Sequence, residues 1–410
     1  MLTKLNLNKK DKYILGCSSG PDSMALFFLL LKEKYDFIVC NIDYNYRDNS
    51  IEETNLVRKY CDDNNIPFYT KNVLFQDIYG NFEAWARKIR YDYFEEIGNK
   101  LNIKNVLIAH NMDDLIETYL MQKERKTILD YYGLHEIYKR NDMVIIRPLL
   151  SFTKSQLKNI CVNNNIKFIL DPTNNDITLK RNYIRHKILP FYSYDEKVKM
   201  VEKIKKLNIK IENEIEYVKS LMCDKLSISI DNYTKLNTLQ KNYLFHLLLK
   251  HTSTHFNISN GIINEINSSI ENSNFKYKCL INDDYISLDN NLVSLVIKNV
   301  KYKYEFNSNF VKCGPFLINY DELFKNNKVT SGMIRPLQEL KTIKINNYVK
   351  KVNRLFIDWK LPHYLRSFWP AIYDENGNFI YTPRYRKEFL KKNSNKLNFN
   401  IHEVVNELIL

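Results

Sequence analysis

Length and composition bound the class of protein. The chain has 410 residues, of which 44% are hydrophobic and 26% charged, as in globular proteins of two or three domains. No apolar stretch approaches the ~20 residues that span a bilayer, and the N-terminus lacks an apolar signal core. The seven cysteines are scattered and never spaced Cys-x-x-Cys, which argues against a disulfide framework or a zinc site. We therefore expect a cytoplasmic protein with no membrane partner.

The charge favours a polyanionic partner. The formal net charge is +14, and between Lys341 and Lys396 there are 13 lysines and arginines against 4 acidic residues, a difference of +9. An AT-rich coding sequence, which yields many Lys, Asn, Ile and Tyr residues, is the alternative explanation. Aromatic residues interleave the charges, as in proteins that stack on bases, so we favour nucleic acid.

Strand-like and helix-like patterns alternate over the first 150 residues, which is typical of a parallel sheet wound with helices. The predicted strands are Lys12–Cys17, Phe37–Asp43, Pro67–Val73, Val106–His110 and Met143–Arg147. The predicted helices are Asp22–Lys34, Ser50–Asn64 (opened by a Ser50–Glu53 capping box), Phe82–Lys100 and Met112–Arg125. Ligands of such folds collect at the carboxyl ends of the strands, where Ser18, Asp43 and His110 fall.

The pattern changes after Pro190. Long amphipathic helices are predicted at Asp195–Cys223 and Tyr233–Lys250, followed by a mixed, strand-rich stretch to about Val300. We predict an α/β fold with a catalytic domain at 1–190, a helical and mixed middle domain at 191–300, a linker with strands at 301–330, and a smaller, basic α+β domain at 331–410.

The loop after the first strand reads Ser18-Ser19-Gly20-Pro21-Asp22-Ser23. Small residues let backbone amides approach phosphate oxygens, and a helix N-terminus favours negative charge. No Gly-Lys-Ser/Thr follows, so this is not a Walker loop. It resembles the Ser-Gly-Gly-x-Asp-Ser loop of ATP pyrophosphatases, although Ser19 replaces the first Gly and tolerates positive φ less well. An ordinary turn capped by Ser18 or Asp22 is the alternative.

The stretch from Ala109 to Thr118 combines a histidine with carboxylates. His110 ends a strand, and Asp114 and Glu117 lie three apart on one helical face. Paired carboxylates beside a nucleotide usually coordinate Mg²⁺ or recognise a cationic or amine-bearing substrate. For Asp113, favourable electrostatics at the helix N-terminus is an equally good explanation. For Asp114 and Glu117 we favour function.

Two pairs of arginines are further candidates. Arg87 and Arg90 share a helical face suited to phosphate or carboxylate, with a Glu83–Arg87 ion pair as the simpler alternative. Arg181 and Arg185 share a face behind the polar loop 171–176, and alone they would more often be solvated charges.

Together these motifs are similar in order and spacing to those of the tRNA(Ile)-lysidine synthetase family, whose catalytic domain is a PP-loop domain. The resemblance rests on residues 18–23, 42–47, 81–91, 109–118 and 171–190, and more loosely on the basic tail with 334–336 and 354–370. Tyr44 and Asn111 stand where the family usually has histidine, and Tyr46 where it has leucine. The matching residues are Asp22, Ser23, Asp43, Arg47, Arg87, His110, Asp114, Glu117, Asn182 and Arg185.

The resemblance implies an ATP-dependent ligase that acts on isoleucine tRNA with a CAU anticodon. The C2 carbonyl oxygen of the wobble cytosine attacks the α-phosphate of ATP, and pyrophosphate leaves. The ε-amine of free L-lysine then attacks C2 and expels AMP, which changes codon recognition from AUG to AUA. ATP and Mg²⁺ are the implied cofactors.

The same resemblance assigns the residues to roles. Catalytic roles are expected of Asp22, Arg87, His110, Asp114 and Glu117, with His110 binding phosphate or shuttling a proton. ATP is expected at Ser18, Ser19, Gly20, Pro21, Asp22, Ser23 and Asp43, and Mg²⁺ at Asp22 and Asp114. Contacts with tRNA or phosphate are expected from Arg47, Arg181, Asn182, Arg185, Arg335, Arg354 and Arg366.

Two alternatives stay open. The tRNA thiolases share the loop but usually need paired cysteines near the site, and here Cys17 alone adjoins the loop. A non-catalytic RNA-binding relative is favoured by Ser19, Tyr44 and Asn111, but it would have no use for buried carboxylates. The sequence leaves the oligomeric state open, with a homodimer as one option.

Overall fold

The computed structural model describes the chain in segments, which are residues 5–45, 50–74, 82–125, 129–170, 180–251, 260–272, 278–281, 283–307, 312–319, 323, 331–345, 348–385 and 396–409. Contacts within the chain divide it into two compact units, Met1–Ile211 (unit 1) and Glu212–Leu410 (unit 2). The division into 1–190, 191–300, 301–330 and 331–410 stays a prediction.

Unit 1 is built on a six-stranded sheet. Its strands are β1 Lys12–Gly16, β2 Asp36–Asp43, β3 Phe68–Asn72, β4 Asn105–Ile108, β5 Ile137–Arg140 and β6 Met143–Ile146. Their spatial order is β3-β2-β1-β4-β6-β5, with every neighbouring pair parallel except the antiparallel edge strand β5 on β6. The chain leaves β1 toward β2 on one side, and β4 pairs on the other. The carboxyl end of β1 is therefore a switch point, where ligands bind in such sheets.

Helices cover both faces of this sheet. The helices next to the sheet are α1 Pro21–Lys32, α2 Ser50–Asp63, α3 Phe82–Leu101, α4 Met112–Glu124 and α5 Lys154–Asn163, and two further helices, α6 Lys180–Tyr183 and α7 Tyr194–Leu221, contact α4. A wide π-helical turn, Ile184–Ile188, and a 3₁₀ turn, Leu189–Phe191, follow α6.

Alternate residues of the central strands pack into two separate hydrophobic cores, because successive side chains of a strand point to opposite faces of the sheet. Leu15 packs on the side of α1 and α5, whereas Ile14 packs on the side of α3. A Cβ atom on Gly16 would lie 2.6 Å from the Phe94 ring, so glycine permits the close approach of α3 to β1. The predicted parallel sheet wound with helices is thus confirmed.

The five predicted strands and four predicted helices of this region are present, with ends shifted by two residues or fewer. The capping box predicted for α2 involves the Ser50 side chain, which lies outside the described residues. The edge strand β5 was not predicted, because Ile137–Arg140 has four residues, of which two are charged and none is buried.

In the described residues of unit 2, helices are combined with four sheets. The helices are α8 Ile230–Lys235, α9 Thr238–Leu249, α10 Asn260–Glu271, α11 Val352–Asp358 and α12 Ile401–Leu408. The strands are β7 Met222–Asp224, β8 Ser227–Ser229, β9 Lys278–Ile281, β10 Asp284–Asp289, β11 Leu292–Val296, β12 Tyr304–Asn307, β13 Lys312–Cys313, β14 Phe316–Ile318, β15 Ser331–Pro336, β16 Thr342–Ile345, β17 Tyr348–Lys351, β18 Pro370–Asp374, β19 Phe379–Tyr381 and β20 Leu397–Asn398. They pair in the orders β7-β8-β11-β10-β9, β12-β15-β18-β19, β13-β14-β20 and β16-β17.

One helix predicted in unit 2 is wrong, because the structure has two shorter helices in its place. The stretch Tyr233–Lys250 is broken between α8 and α9, because Leu236 has extended backbone angles and Asn237 starts a new helix. The Asn237 side chain accepts a hydrogen bond from the Gln240 amide, and Gln240 returns one to the Asn237 amide. This capping box stops the helix from being continuous.

Strands from the predicted linker are part of the sheets of the tail. β12 pairs with β15, and β14 pairs with β20. Across the described residues, no helix has the length and apolar character needed to cross a membrane.

Candidate active site

The loop between β1 and α1 folds against its own helix. The Ser18 amide donates to Ser23 Oγ (3.2 Å), and Ser23 Oγ donates to the Gly20 carbonyl oxygen (3.0 Å). Gly20 is the N-cap of α1, and Pro21 is its first residue. Among the described residues, no side chain caps this end of the helix. The alternative of a turn capped by Ser18 or Asp22 is therefore wrong. The amides of the first turn are oriented toward the space where an anion binds.

Ser19 adopts the backbone conformation for which glycine is usual. Its φ angle is +33°, and its side chain is buried. Its carbonyl oxygen accepts a hydrogen bond from the Ile169 amide (3.0 Å). Serine therefore supplies the same turn as the family's glycine, with some backbone strain.

A cavity of about 210 Å³ opens at the carboxyl ends of β1, β2 and β4. Its polar and charged lining comes from four parts of the chain that are far apart in sequence: the loop at 18–23, the end of β2, α3, and the start of α4. The predicted site residues among its lining are Ser18, Gly20, Asp22, Ser23, His110 and Asp114, and the others are Gly16, Cys17, Cys40, Ile42, Tyr44, Arg90, Phe94, Ile108 and Ala109.

Asp22 is the most perturbed carboxyl group of the cavity. Its pKa is raised to about 7, mainly by burial and next by the negative charge of Asp114, against the opposing charges of Lys154 and Arg185. The Asn111 side-chain amide also lowers this pKa, although neither Asn111 Nδ2 nor Asp22 Oδ1 has a hydrogen-bond partner of normal geometry among the described residues. Asp22 Oδ1 is buried without a hydrogen-bond partner in the described chain. Such an oxygen requires a ligand, a proton or a cation.

Asp114 is held in place by the start of α4. The Asn111 side chain accepts from the Asp114 amide (3.1 Å), and Asp114 Oδ2 accepts from the Asn111 amide (3.0 Å). Arg185 lies 3.3 Å from Asp114 Oδ1. Asn111, one of the departures from the family pattern, thus forms a capping box that orients Asp114.

Glu117 lies beneath the cavity and does not line it. It is fully buried, and it pairs with Arg181 through Oε1 and with Arg185 at 3.1 Å through Oε2. Burial raises its pKa, and the two arginines lower it. Glu117 therefore positions Arg181, on α6, and Arg185, on the π-helical turn, and both of these elements contact α4. Asn182, between them, is buried.

His110 reaches the cavity as an uncharged ring. Its pKa is lowered to about 3, mainly by burial, with smaller contributions from the charges of Arg147, Arg181 and Arg90 that act against the opposing effect of Asp114. The Arg147 Nε donates to His110 Nδ1 over 2.8 Å. Arg147 was not predicted as a site residue, although its place at the end of a buried strand was a signal.

Several predicted residues lie away from the cavity. Arg87 is exposed, and its guanidinium carbon lies 5.2 Å from the centre of the Tyr91 ring. Arg90 instead lines the cavity, and its Nε donates a hydrogen bond of 3.4 Å to the Tyr44 hydroxyl. Asp43 is buried at the end of β2, where its Oδ1 accepts from the Asn45 amide (2.9 Å). The Glu83 side chain, Arg47 and the loop 171–176 lie outside the described residues.

Asp113 has a structural role. It is buried, its Oδ2 accepts from the Lys154 amide (2.7 Å), and its Oδ1 pairs with Lys197 (2.5 Å). Both contacts hold α4 against α5 and α7. This favours structural electrostatics over a catalytic role for Asp113.

The three arginines predicted to contact tRNA in unit 2 differ in exposure. Arg335 pairs with Glu339 (3.3 Å) and lies 4.4 Å from the centre of the Tyr373 ring. Arg366 is half-buried and donates through Nε to the Leu361 carbonyl oxygen (3.3 Å). Arg354 is 70% exposed and pairs with Asp358 at 3.1 Å. Of these three, Arg354 is the one most open to solvent.

No group of three or more His, Cys, Asp or Glu side chains in the described segments is arranged as a metal site. Mg²⁺ does not need one, because it usually binds one or two carboxylates together with phosphate oxygens and water. Asp22, with its unpartnered oxygen, and Asp114 fit that requirement.

The fold and the loop define the class of protein. Residues 1–192 match a family model described as a PP-loop domain. With the anion-binding loop at the switch point of the sheet, this is an ATP-binding PP-loop enzyme.

The relatives narrow the class. The chain is 32% identical to a tRNA(Ile)-lysidine synthase from Mycoplasma mycoides subsp. mycoides, over 92% of this chain and 98% of that protein. It is 29% identical to one from Clostridioides difficile, over 97% of this chain and 98% of that protein. A third, from Malacoplasma penetrans, is 31% identical over 68% of this chain and 97% of the relative. The chain belongs to the tRNA(Ile)-lysidine synthase family, and the resemblance found in its sequence is confirmed.

Proposed function

We propose that this enzyme ligates free L-lysine to C2 of the wobble cytidine in the CAU anticodon of isoleucine tRNA. It uses ATP, forms an adenylated cytidine, and releases first pyrophosphate and then AMP. The product, lysidine, reads AUA instead of AUG. The observation that supports this most is the single cavity in which an anion-binding loop, Asp22, His110 and Asp114 meet.

The first step needs stabilisation of the leaving pyrophosphate. The uncapped N-terminus of α1 and the loop 18–23 would donate backbone hydrogen bonds to its oxygens. Mg²⁺ held by Asp22 and Asp114 would neutralise phosphate charge during this step. Arg90, on the cavity wall, is better placed than the exposed Arg87 to contact phosphate.

The second step needs recognition of lysine. A carboxylate on the cavity wall attracts the ammonium group of the amino acid, while the ε-amine must be unprotonated to attack C2. Asp114 lines the cavity, whereas Glu117 is already paired with two arginines. We therefore assign lysine or metal binding to Asp114 and give Glu117 the role of positioning Arg181 and Arg185.

The test is transfer of radiolabelled lysine to unmodified isoleucine tRNA with a CAU anticodon, in the presence of ATP and Mg²⁺. Methionine tRNA with the same anticodon is the control, and we expect label on the isoleucine tRNA alone. Tight tRNA binding without label would contradict the proposal and favour a non-catalytic relative.

Asp114→Ala should abolish lysine transfer, because it removes the cavity carboxylate. The matched control is Asp113→Asn on the same helix, which faces Lys154 and Lys197 instead. We expect the control to keep most of its kcat while losing stability. Near-normal turnover by Asp114→Ala would exclude the role assigned to Asp114.

Thiolase chemistry is the alternative within the same class of loop. It requires a reactive thiolate, but burial raises the pKa of Cys17 and of Cys40, the two cysteines on the cavity wall, to about 12. Both thiols therefore stay protonated at neutral pH. This argues for lysine and against sulfur as the incoming group.

Partners and location follow from the proposed reaction. Isoleucine tRNA and free lysine are the proposed substrates, and the basic tail is the proposed second contact with tRNA. A cytoplasmic location is proposed because the proposed substrate is a tRNA and because cysteines of the described residues are free thiols. These cysteines are Cys17, Cys40, Cys61, Cys161, Cys223 and Cys313. The homodimer stays a prediction.

A further inference from the structure

Arg147 lies just after β6 and is almost fully buried, with 3% of its surface exposed. Its Nε donates a hydrogen bond of 2.8 Å to His110 Nδ1, and its Nη1 donates one of 2.5 Å to the His135 carbonyl oxygen. Its guanidinium carbon lies 4.8 Å from the centre of the Tyr138 ring. These three contacts fix the guanidinium in one orientation toward His110.

The contact with His110 determines which ring nitrogen carries the proton. Arginine stays charged and has no acceptor, so the nitrogen that faces Arg147 must be unprotonated. In the neutral ring the proton is then on Nε2. His110 is among the residues that line the cavity.

We propose that Arg147 is a positioning residue that fixes His110 as the neutral Nε2–H tautomer. His110 then offers an uncharged hydrogen-bond donor to an oxygen atom bound in the cavity, and it does not shuttle a proton. The identity of that oxygen, on ATP or on the base, rests on the proposed function. The tautomer itself does not.

The surrounding charges are consistent with this state. Arg90 from α3, Arg181 from α6 and Arg147 all lower the pKa of His110, and burial lowers it most. Asp114 from α4 opposes them by raising the pKa. Because burial and the three arginines together outweigh Asp114, a protonated ring would be unfavourable in the cavity.

The direct test is nitrogen NMR of the full-length protein with ¹⁵N-labelled histidine. The chain has eight histidines, so the His110 signals are assigned by their loss in His110→Gln. We expect an unprotonated Nδ1 and a protonated Nε2 that persist from pH 8 to pH 5. A proton on Nδ1, or an imidazolium at pH 6 to 7, would overturn the proposal.

Substitution of Arg147 tests whether this residue is the cause of the His110 tautomer. In Arg147→Met we expect mixed tautomers, a ring that titrates closer to its ordinary range, and lysine transfer slowed by about tenfold to a hundredfold, as for loss of other orienting partners. Arg147→Lys should restore part of the tautomer preference and of the rate. The control is Arg140→Met, which removes another arginine stacked on a tyrosine, 4.7 Å from the Tyr91 ring, away from the cavity lining.

The outcomes are separable from those of the proposed function. If Arg147→Met leaves the tautomer and the rate unchanged, Arg147 does not position His110. If Arg147→Met fails to fold, Arg147→Lys and the wild-type spectrum still decide, because a wild-type ring with its proton on Nδ1 overturns the inference. If wild type transfers no lysine, the proposed function fails while the tautomer measurement still stands.

Discussion

At the scale of single residues, Asp22 should make the stability of unit 1 depend on pH. Its pKa is raised from 3.8 to about 7 by burial and by Asp114. Between these values the unfolded chain is ionised while the folded chain holds a proton, so the free energy of unfolding falls as pH rises from about 4 to about 7. One pKa unit corresponds to about 1.4 kcal/mol, and we expect a total loss on the order of 2–4 kcal/mol.

Asp22→Asn should remove this loss. In metal-free, nucleotide-free protein we expect the variant to be more stable than wild type at pH 8 and equal to it below about pH 4. Amide hydrogen exchange of β1 and β4 at both pH values measures the difference, and ATP binding should be lost in the variant. Equal hydrogen-exchange protection of the two proteins at pH 8 would contradict this prediction. It would show that ionisation of Asp22 does not destabilise the folded protein.

Ser19 gives a second residue-scale prediction. Its φ of +33° disfavours serine and suits glycine, although glycine loses more backbone entropy on folding. We expect Ser19→Gly to raise the free energy of unfolding by about 0.5–1 kcal/mol and to leave ATP binding within about twofold. Urea unfolding and nucleotide titration measure both. A clear loss of ATP affinity would mean that the serine hydroxyl itself contacts the nucleotide.

At the scale of elements, the capping boxes of α4 and α9 form a matched pair. Asn111 caps α4 beneath Asp114, and Asn237 caps α9 in unit 2 with the same bonds. Replacing either asparagine by alanine should lower stability by about 1 kcal/mol. We expect Asn111→Ala also to reduce kcat/KM for lysine at least tenfold, because Asp114 loses its orientation.

Thermal or urea unfolding and lysine-transfer kinetics of both variants test this prediction. Asn237→Ala serves as the control for a helix cap far along the chain from the cavity residues, and its kinetics should match wild type. If Asn111→Ala transfers lysine as well as Asn237→Ala does, the cap has a structural role only.

At the scale of the whole molecule, the basic tail is best tested without deleting it. Removing Ser331–Leu410 would leave β12 without β15 and would expose Asp224, which is buried and accepts from the Tyr364 hydroxyl at 2.9 Å. Lower tRNA affinity after deletion would then reflect lost folding as readily as lost contacts.

Charge reversal of exposed lysines avoids this problem. Lys344, Lys350 and Lys351 lie exposed on the β16–β17 hairpin. Changing all three to glutamate should raise the KM for tRNA but not for ATP, and should reduce the salt dependence of tRNA binding by about one unit of slope per lost phosphate contact.

The control reverses Lys10, Lys32 and Lys100, which are exposed at the amino edge of the unit 1 sheet, opposite the cavity. These reversals should change neither the KM for tRNA nor the salt dependence. An equal effect of both triple variants would indicate a general loss of positive charge and no specific contact by the hairpin.

The strands, most helices and the polar end of the sheet could be predicted because they depend on local patterns. Short apolar runs marked β1, β2 and β4, and small residues marked the loop at 18–23. From the sequence, a catalytic role is expected of Arg87 and not of Arg90, but which of the two faces the cavity depends on the rotation of α3, which the sequence does not show. Phe94 packs against Gly16, and Arg90, one turn earlier on the same face, is thereby turned into the cavity.

The parallel sheet, the loop motif and the family could be read from the amino-acid sequence, since each depends on residues that are close along the chain. The folded structure was needed to show that Asp114 faces the cavity while Glu117 pairs with two arginines, and that Arg147 contacts His110. Those distinctions depend on which elements pack together and on how deeply each charge is buried. Burial and partner charges set ionisation, and both arise only when distant segments meet.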